Sequence, residues 1–101
     1  MGASRRERLV LTLPPDPGLA RLTGLVTLCF LRQNGVGVAE ASKGARTVER
    51  RCRVTLRGAR RTARALVLVL AAGARALEAT GRPRPGRHGR RMLHLERPGP
   101  A

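Results

Sequence analysis

The chain has 101 residues, a formal net charge of +15 and 42% hydrophobic residues, with Phe30 as its sole aromatic residue. This length allows one small domain, whose core must be built from Leu, Val and Ala side chains. No apolar run approaches the roughly 18–20 residues of a membrane-spanning helix, and the run near the N-terminus is too short for a signal peptide. We therefore expect a cytoplasmic protein with no membrane partner.

The positive charge comes almost entirely from arginine, since Lys43 is the single lysine. A charge of this size attracts nucleic acids and acidic proteins through salt-sensitive forces. The same bias toward Arg, Ala, Gly and Pro is typical of GC-rich coding DNA. Composition alone therefore establishes neither an anionic partner nor selection on the reading frame.

The first elements are a short strand at 8–13 and a helix from about Pro17 to Gln33. Asp16 is a suitable N-cap, because its carboxylate can accept hydrogen bonds from free backbone amides. Asn34-Gly35 is a suitable end, because both residues tolerate the left-handed conformation. The buried face of this helix is expected to carry the positions with helical spacing: Leu19, Leu22, Val26, Cys29, Phe30 and Gln33.

A second helix is predicted from about Val38 to Leu56, and Gly44 should weaken it by about 1 kcal/mol relative to Ala. It carries two rows of residues spaced by threes and fours, so each row lies on one face. The apolar row predicts the core-facing side: Ala41, Ala45, Val48, Cys52 and Leu56. The cationic row continues beyond the helix: Arg46, Arg50, Arg53, Arg57, Arg60, Arg61 and Arg64.

We expect the cationic row to be exposed and to bind an acidic protein or a nucleic acid. A solvated helix face without a partner is the alternative interpretation. A second group of arginines lies in a Gly- and Pro-rich segment and could add anion contacts: Arg82, Arg84, Arg87, Arg90 and Arg91.

After the second helix, the apolar run at 65–71 predicts a strand buried on both faces, and 74–80 alternates like the returning strand of a hairpin. The segment 81–91 predicts a mobile loop, and the pattern allows a further short strand at 92–95. The expected fold class is α+β, with two helices packed on one face of a small, mainly antiparallel sheet. The expected organisation is a basic lead-in at 1–7, one domain at 8–80, and a loop and tail at 81–101.

This element order, opened by Leu11-Thr12-Leu13-Pro14-Pro15-Asp16-Pro17, resembles the N-terminal part of the bacterial anti-sigma-factor serine kinases. These are small members of the GHKL superfamily, whose ATP-binding fold is shared with histidine kinases. The resemblance covers roughly residues 8–86. It implies that the second helix corresponds to the family's ATP-binding N box, which reads approximately Val-Asp-Glu-x-x-x-Asn-x-x-x-His-Ala.

Laid on residues 48–59, that pattern places the family's catalytic acid at Arg50 and its magnesium-holding Asn at Val54. Neither residue offers the oxygen ligand that magnesium requires. The family's adenine-reading Asp-x-Gly-x-Gly phrase falls near 80–86, where there is no Asp. The resemblance therefore implies a degenerate member that does not bind Mg-ATP in the family's way, and we expect no cofactor.

No other catalytic pattern is present: the six acidic residues are scattered, and His88 and His94 lie in a predicted loop and a predicted edge strand. Cys29 and Cys52 fall on apolar helical rows and are expected to be reduced, buried thiols, which leaves no metal site. We expect no enzyme activity, no catalytic residue and no small-molecule substrate. The first hypothesis is a non-catalytic regulatory or binding protein. The second is a basic nucleic-acid-binding protein that uses the arginine-lined helix face, without aromatic side chains to stack on bases.

Overall fold

The computed structural model describes residues 7–59, 64–84 and 89–97. The four strands form one antiparallel sheet in the order β1-β2-β3-β4, and both helices pack on one face of it. The predicted α+β class is confirmed, and the additional final strand is present. The elements in chain order are β1 (Glu7–Leu13), a 3-10 turn (Pro17–Leu19), α1 (Ala20–Gln33), α2 (Val38–Ala59), β2 (Ala65–Ala72), β3 (Ala76–Arg84) and β4 (Arg90–Glu96).

Both ends of the first helical segment follow from local chemistry. Asp16 Oδ1 accepts a hydrogen bond from Gly18 N at 2.9 Å, as the predicted N-cap requires. At the other end, Gly35 has a φ of 85°, the left-handed conformation that glycine adopts without strain. Gly35 N donates to Arg32 O at 3.1 Å and Val36 N donates to Leu31 O at 3.0 Å. These paired bonds are a Schellman motif, which satisfies the last carbonyls of α1.

The apolar row of α2 forms the centre of the core, as predicted. Its five members are between 0 and 7% exposed, and the helix packs on β3 and β4. On β2, alternate residues from Leu66 to Ala72 are buried under the helices. On the opposite face Val67 is buried, whereas Val69 and Ala71 are half-buried. The predicted burial of this strand on both faces therefore holds fully only on the helix side.

The buried face of α1 differs from the predicted one. Leu22, Cys29 and Gln33 are exposed, and the buried residues are Ala20, Thr23, Gly24, Thr27, Phe30 and Leu31. The two threonines can be buried because each hydroxyl donates to a backbone carbonyl one turn earlier, Thr27 to Thr23 O at 2.7 Å. The prediction that both thiols are buried is therefore wrong for Cys29 and confirmed for Cys52.

Two glycines let the helices approach their neighbours closely. A Cβ added at Gly24 would lie 3.2 Å from the Cβ of Glu49, at the contact between α1 and α2. A Cβ added at Gly44 would lie 3.0 Å from Leu31 Cδ1 and 3.1 Å from Leu93 Cδ2. Gly44, which the sequence marks only as a weak helical position, is thus the point where α1 and β4 both pack against α2.

The segment expected to be a loop is partly a strand. Residues 81–84 continue β3 and pair with β2 up to Arg84↔Ala65, and β4 begins at Arg90 rather than Met92. Pro83 is tolerated because β3 has already left β4, whose pairing stops at Gly81↔Arg90. The register of β3 with β4 shifts between Ala79 and Thr80. The remainder of the predicted loop, residues 85–88, and positions 1–6 of the predicted lead-in lie outside the described residues, and Glu7 belongs to β1.

Within the described ranges, neither helix combines the length and the apolar character needed to cross a bilayer.

The packing of Gly81 on Met92 predicts an overpacking defect. A Cβ at this position would overlap Met92 Cε, and Met92 is only 5% exposed. We expect Gly81→Leu to lower the free energy of unfolding by about 1–3 kcal/mol. Gly58, near the end of α2, has open space around its Cβ position. The control Gly58→Ala should therefore raise stability by about 0.5–1 kcal/mol. Urea denaturation measures both, and equal effects of the two changes would contradict the assigned packing.

The two thiols should differ in reactivity and in their effect on the pH dependence of stability. Burial raises the pKa of the Cys52 thiol, partly offset by a hydrogen bond with Thr23, whereas Cys29 is exposed. A thiol reagent should modify one cysteine in the folded chain and two in denaturant. Because the folded state holds the Cys52 proton more tightly, the free energy of unfolding should fall as the pH rises above the ordinary thiol pKa. Cys52→Ala should remove that fall, as measured by denaturation at several pH values.

Candidate anion-binding groove

A groove of about 200 Å³ lies between the second half of α2 and the start of β4. We call it the arginine groove. Its lining residues are four arginines, one threonine and two apolar residues: Arg50, Arg51, Val54, Thr55, Arg90, Arg91 and Met92.

The core contact beneath the groove sets its position. Cys52 is fully buried, and its Sγ lies 3.5 Å from the Sδ of Met92. This contact holds α2 against β4, so that the helical positions just before Cys52 and the strand positions just before Met92 emerge on opposite walls. Arg51 Nη1 spans the gap and donates to Arg91 O at 3.5 Å, the long limit of a hydrogen bond.

The electrostatics of the groove are dominated by unneutralised cations. Arg91 Nη2 lies 3.5 Å from Glu78 Oε1, on the outer face of the sheet. The same carboxylate oxygen lies 3.1 Å from His94 Nδ1, so it is shared between two partners. Among the residues that the structure describes, Arg50, Arg51 and Arg90 form no ion pair. An anion in the groove would therefore relieve mutual repulsion between guanidinium groups as well as form charge-assisted hydrogen bonds.

The arginines of the predicted cationic row do not form one continuous surface. Arg46 is exposed on the first half of α2, and Arg57 is exposed in the last turn, where it offsets the negative end of the helix dipole. Arg53 Nη2 is bonded to Glu49 Oε2 at 2.9 Å, one helical turn away. Of the described row members on α2, Arg50 alone lines the arginine groove. Three predicted cations lie outside the described residues: Arg60, Arg61 and Arg87.

The second predicted group joins the first at one end of the sheet. Arg90 and Arg91 form the β4 wall of the groove, and Arg82 and Arg84 are exposed at the neighbouring end of β3. Arg64 N donates to Arg84 O at 2.6 Å, which brings the last member of the row beside this group. We call this surface the arginine end, and it consists of Arg50, Arg51, Arg64, Arg82, Arg84, Arg90 and Arg91.

The opposite end of the sheet carries charges of both signs. Glu7 pairs with Ala72 at the start of β1, and Glu96 pairs with Ala76 at the end of β4. Arg8, Arg75 and Arg97 also lie at this end, so its charge is mixed.

Arg51 was not among the predicted site residues. It lies between Arg50 and Arg53 in the sequence but does not share their spacing of three or four residues, so the spacing does not predict it as a site residue. Its place in the groove comes from the packing of β4 against α2, which brings together residues forty positions apart. The adjacent pair Arg50-Arg51 gives no such signal by itself, because neighbouring residues on a helix point toward different neighbours.

Among the described residues, no acid or base that could perform catalysis lines the groove. Thr55 is its single hydroxyl, and that group donates to Arg51 O at 2.9 Å within the helix. Among the described residues, no three His, Cys, Asp or Glu side chains come together as metal ligands. Arg50 and Val54, which the resemblance aligns with a carboxylate and an amide that serve Mg-ATP, both line the groove.

A larger and shallower depression of about 810 Å³ lies beside the first half of α2. Its floor is apolar, formed by Gly44, Leu93 and Leu95, with Lys43 and Arg46 at its margin. Its polar lining mixes one carboxylate (Glu40) with two cations and two hydroxyls, so it lacks the purely cationic character of the arginine groove.

Compared with models of protein families, with curated proteins and with solved structures, the chain gives no match.

The exposed members of the cationic row should be dispensable for folding. Arg46 and Arg57 are exposed, and the bond of Arg53 to Glu49 is a partly exposed helical pair, a type worth about 0.3–0.5 kcal/mol. We expect the triple change Arg46→Gln, Arg53→Gln and Arg57→Gln to lower the free energy of unfolding by less than about 1 kcal/mol. Circular dichroism during urea titration measures this, and a loss of helical signal in buffer would show that this face of α2 is misassigned.

Proposed function

We propose that this protein is a non-catalytic binding protein whose arginine end holds the phosphate backbone of a nucleic acid. The observation that carries the proposal is the convergence of Arg50, Arg51, Arg90 and Arg91 on one groove. Planar guanidinium groups donate two parallel hydrogen bonds to a phosphate, and they remain charged at any physiological pH.

The extent of the arginine end favours nucleic acid over a compact anion. From the groove, the cations continue along the end of the sheet to Arg82, Arg84 and Arg64. A linear polymer with regularly repeated charges can contact such a track at several points. Each phosphate neutralised releases condensed counterions, which supplies affinity that falls steeply with salt.

The same surface supports recognition without sequence preference. Phe30 is the sole aromatic residue, and it is 4% exposed, so it cannot stack on bases. The groove is formed by a helix flank and a strand rather than by a helix tip that could enter a major groove. Backbone contacts position a protein on a duplex but carry no direct sequence information.

The kinship with the anti-sigma-factor kinases remains part of the proposal, in its degenerate form. Its support is the element order β-α-α-β-β and the strand-end phrase Leu13-Pro14-Pro15-Asp16-Pro17. A guanidinium at Arg50 and an isopropyl group at Val54 favour phosphate without metal over Mg-ATP. A regulatory role in the cytoplasm fits two cysteines that are both free thiols.

The proposal is tested by fluorescence anisotropy with a labelled duplex of mixed sequence, at salt concentrations between about 50 and 200 mM. We expect log K to fall with log salt at a slope of about −3 to −4, as the neutralisation of four phosphates requires. The double change Arg50→Gln with Arg90→Gln should make the slope shallower by about 0.9 for each phosphate that is no longer neutralised. The matched control Arg21→Gln with Arg75→Gln removes the same charge from exposed positions outside the arginine end and should leave the slope unchanged.

Three results would contradict the proposal. Equal reductions of affinity in the two variants would mean that net charge alone drives binding. Competition by poly-glutamate as strong as that by unlabelled duplex would identify an acidic protein as the partner. Saturable, magnesium-dependent binding of ATP, measured by calorimetry, would overturn the degenerate kinship.

A further inference from the structure

One arginine of the arginine groove is already paired with a carboxylate. Arg91 lines the groove, yet its Nη2 lies 3.5 Å from Glu78 Oε1, on the face of the sheet opposite the helices. Among the residues that the structure describes, the other three arginines of the groove form no ion pair. Glu78 therefore competes with any phosphate for one of the four arginines that the proposed function uses.

The irregular pairing of β3 with β4 places Arg91 on this outer face. Glu78 pairs with His94, and Thr80, two residues further along β3, pairs with Arg91, three residues back along β4. The extra residue of β4 is Met92, whose side chain is buried on the helix side. With uninterrupted alternation from His94, Arg91 would face the helices instead. Bulges re-aim side chains in this way, and here the bulge brings a guanidinium group within reach of Glu78.

His94 is a second partner for the same carboxylate oxygen. Its Nδ1 lies 3.1 Å from Glu78 Oε1, and its Nε2 lies 3.9 Å from Glu96 Oε1. A neutral imidazole carries a hydrogen on one ring nitrogen, whereas the protonated ring carries one on each. A protonated His94 therefore places a positive charge between two carboxylates, and it offers Glu78 a cationic partner other than Arg91.

The remaining described charges near this face are arginines at a greater distance. Arg82 lies four residues along β3 from Glu78, about 13 Å between Cα atoms, and Arg8 lies two strands away on β1, about 10 Å. Arg75 and Arg97 lie at the β2–β3 connection, where Arg97 Nη1 donates to a backbone carbonyl at 3.0 Å. Both helices lie on the other face of the sheet, so their charges do not face the histidine.

We propose, on the basis of the proposed function, that Glu78 and His94 form a pH-sensitive control of the arginine groove. At neutral pH, Glu78 holds Arg91 on the outer face and keeps its charge from the nucleic acid. Protonation of His94 gives Glu78 another cation, and Arg91 is released to bind a phosphate. The affinity for nucleic acid therefore rises as the pH falls through the range in which histidine becomes charged, about 8 to 5. By linkage, bound nucleic acid favours the protonated state of His94.

The test is fluorescence anisotropy with a labelled duplex at constant salt, as the pH falls from about 7 to about 5.5, between the titration ranges of the α-amino group and most carboxylates. Every protein in the test carries His88→Gln, which leaves His94 as the single histidine. We expect the affinity to rise by about two- to fivefold over this range, the effect of an exposed ion pair. Adding His94→Gln should abolish the rise.

Two glutamate variants separate the loss of the Arg91 contact from the loss of a negative charge. Glu78→Gln removes the partner of Arg91, so it should strengthen binding at neutral pH by about two- to fivefold and abolish the further rise at lower pH. The matched control Glu7→Gln changes the net charge equally at the start of β1, the far edge of the sheet. It should leave the affinity at neutral pH nearly unchanged and preserve the rise. Far-UV circular dichroism verifies that each variant is folded.

A second measurement follows Arg91 without nucleic acid. In the His88→Gln protein, the ¹⁵Nε signal of Arg91 should shift as His94 titrates. In Glu78→Gln the same signal should stay constant, although His94 still titrates, because Arg91 has no carboxylate to lose.

The outcomes distinguish this control from the proposed function. Three results would overturn the control and leave salt-dependent duplex binding intact: a pH-dependent rise that persists in Glu78→Gln, equal effects of the two glutamate changes, or an Arg91 signal that does not respond to pH. Absence of duplex binding at every pH would overturn both proposals.

Discussion

The packing of α2 on β3 and β4 through small side chains is the interaction on which the other features depend. Cys52 against Met92, and Gly44 against Leu93, bring the helix close to the strand. Larger residues at these points would lift α2 away and separate the walls of the arginine groove. The chain has almost no aromatic volume with which to fill a wider gap, so close approach is the way in which it can form a dense core.

The sequence predicted the elements well where two residue classes were cleanly separated. On α2 the apolar row and the cationic row share no residue, so the sequence predicted the core face of this helix correctly. On α1 the true core face contains Thr23 and Thr27, which count as polar although their hydroxyls bond to the helix backbone. The leucines on the exposed side of α1 therefore made the sequence predict the wrong face of this helix as the core face. At 81–84, glycine and proline suggested a loop because composition does not reveal that β3 has one open side there.

The sequence predicted that α2 carries a cationic site, but it did not predict which residues form the groove. Arginine spacing identified α2 as a cationic element, whereas the groove depends on which strand lies beside the helix. Arg50, Arg90 and Arg91 were named in two separate groups, and their meeting is a consequence of tertiary packing. A bias in coding DNA supplies arginines but does not choose the end of the sheet at which they gather. The concentration of seven arginines at the arginine end, against Arg8, Arg75 and Arg97 at the other end, is thus the structural argument for a role of the charge.

The chain connectivity makes β1 the strand that joins the sheet last during folding. Strands β2, β3 and β4 are joined by short connections, so their pairing closes small loops at low entropic cost. β1 must wait for both helices to form before its residues reach β2, and it is held there along a single edge. It is therefore expected to dock late in folding and to open early under stress.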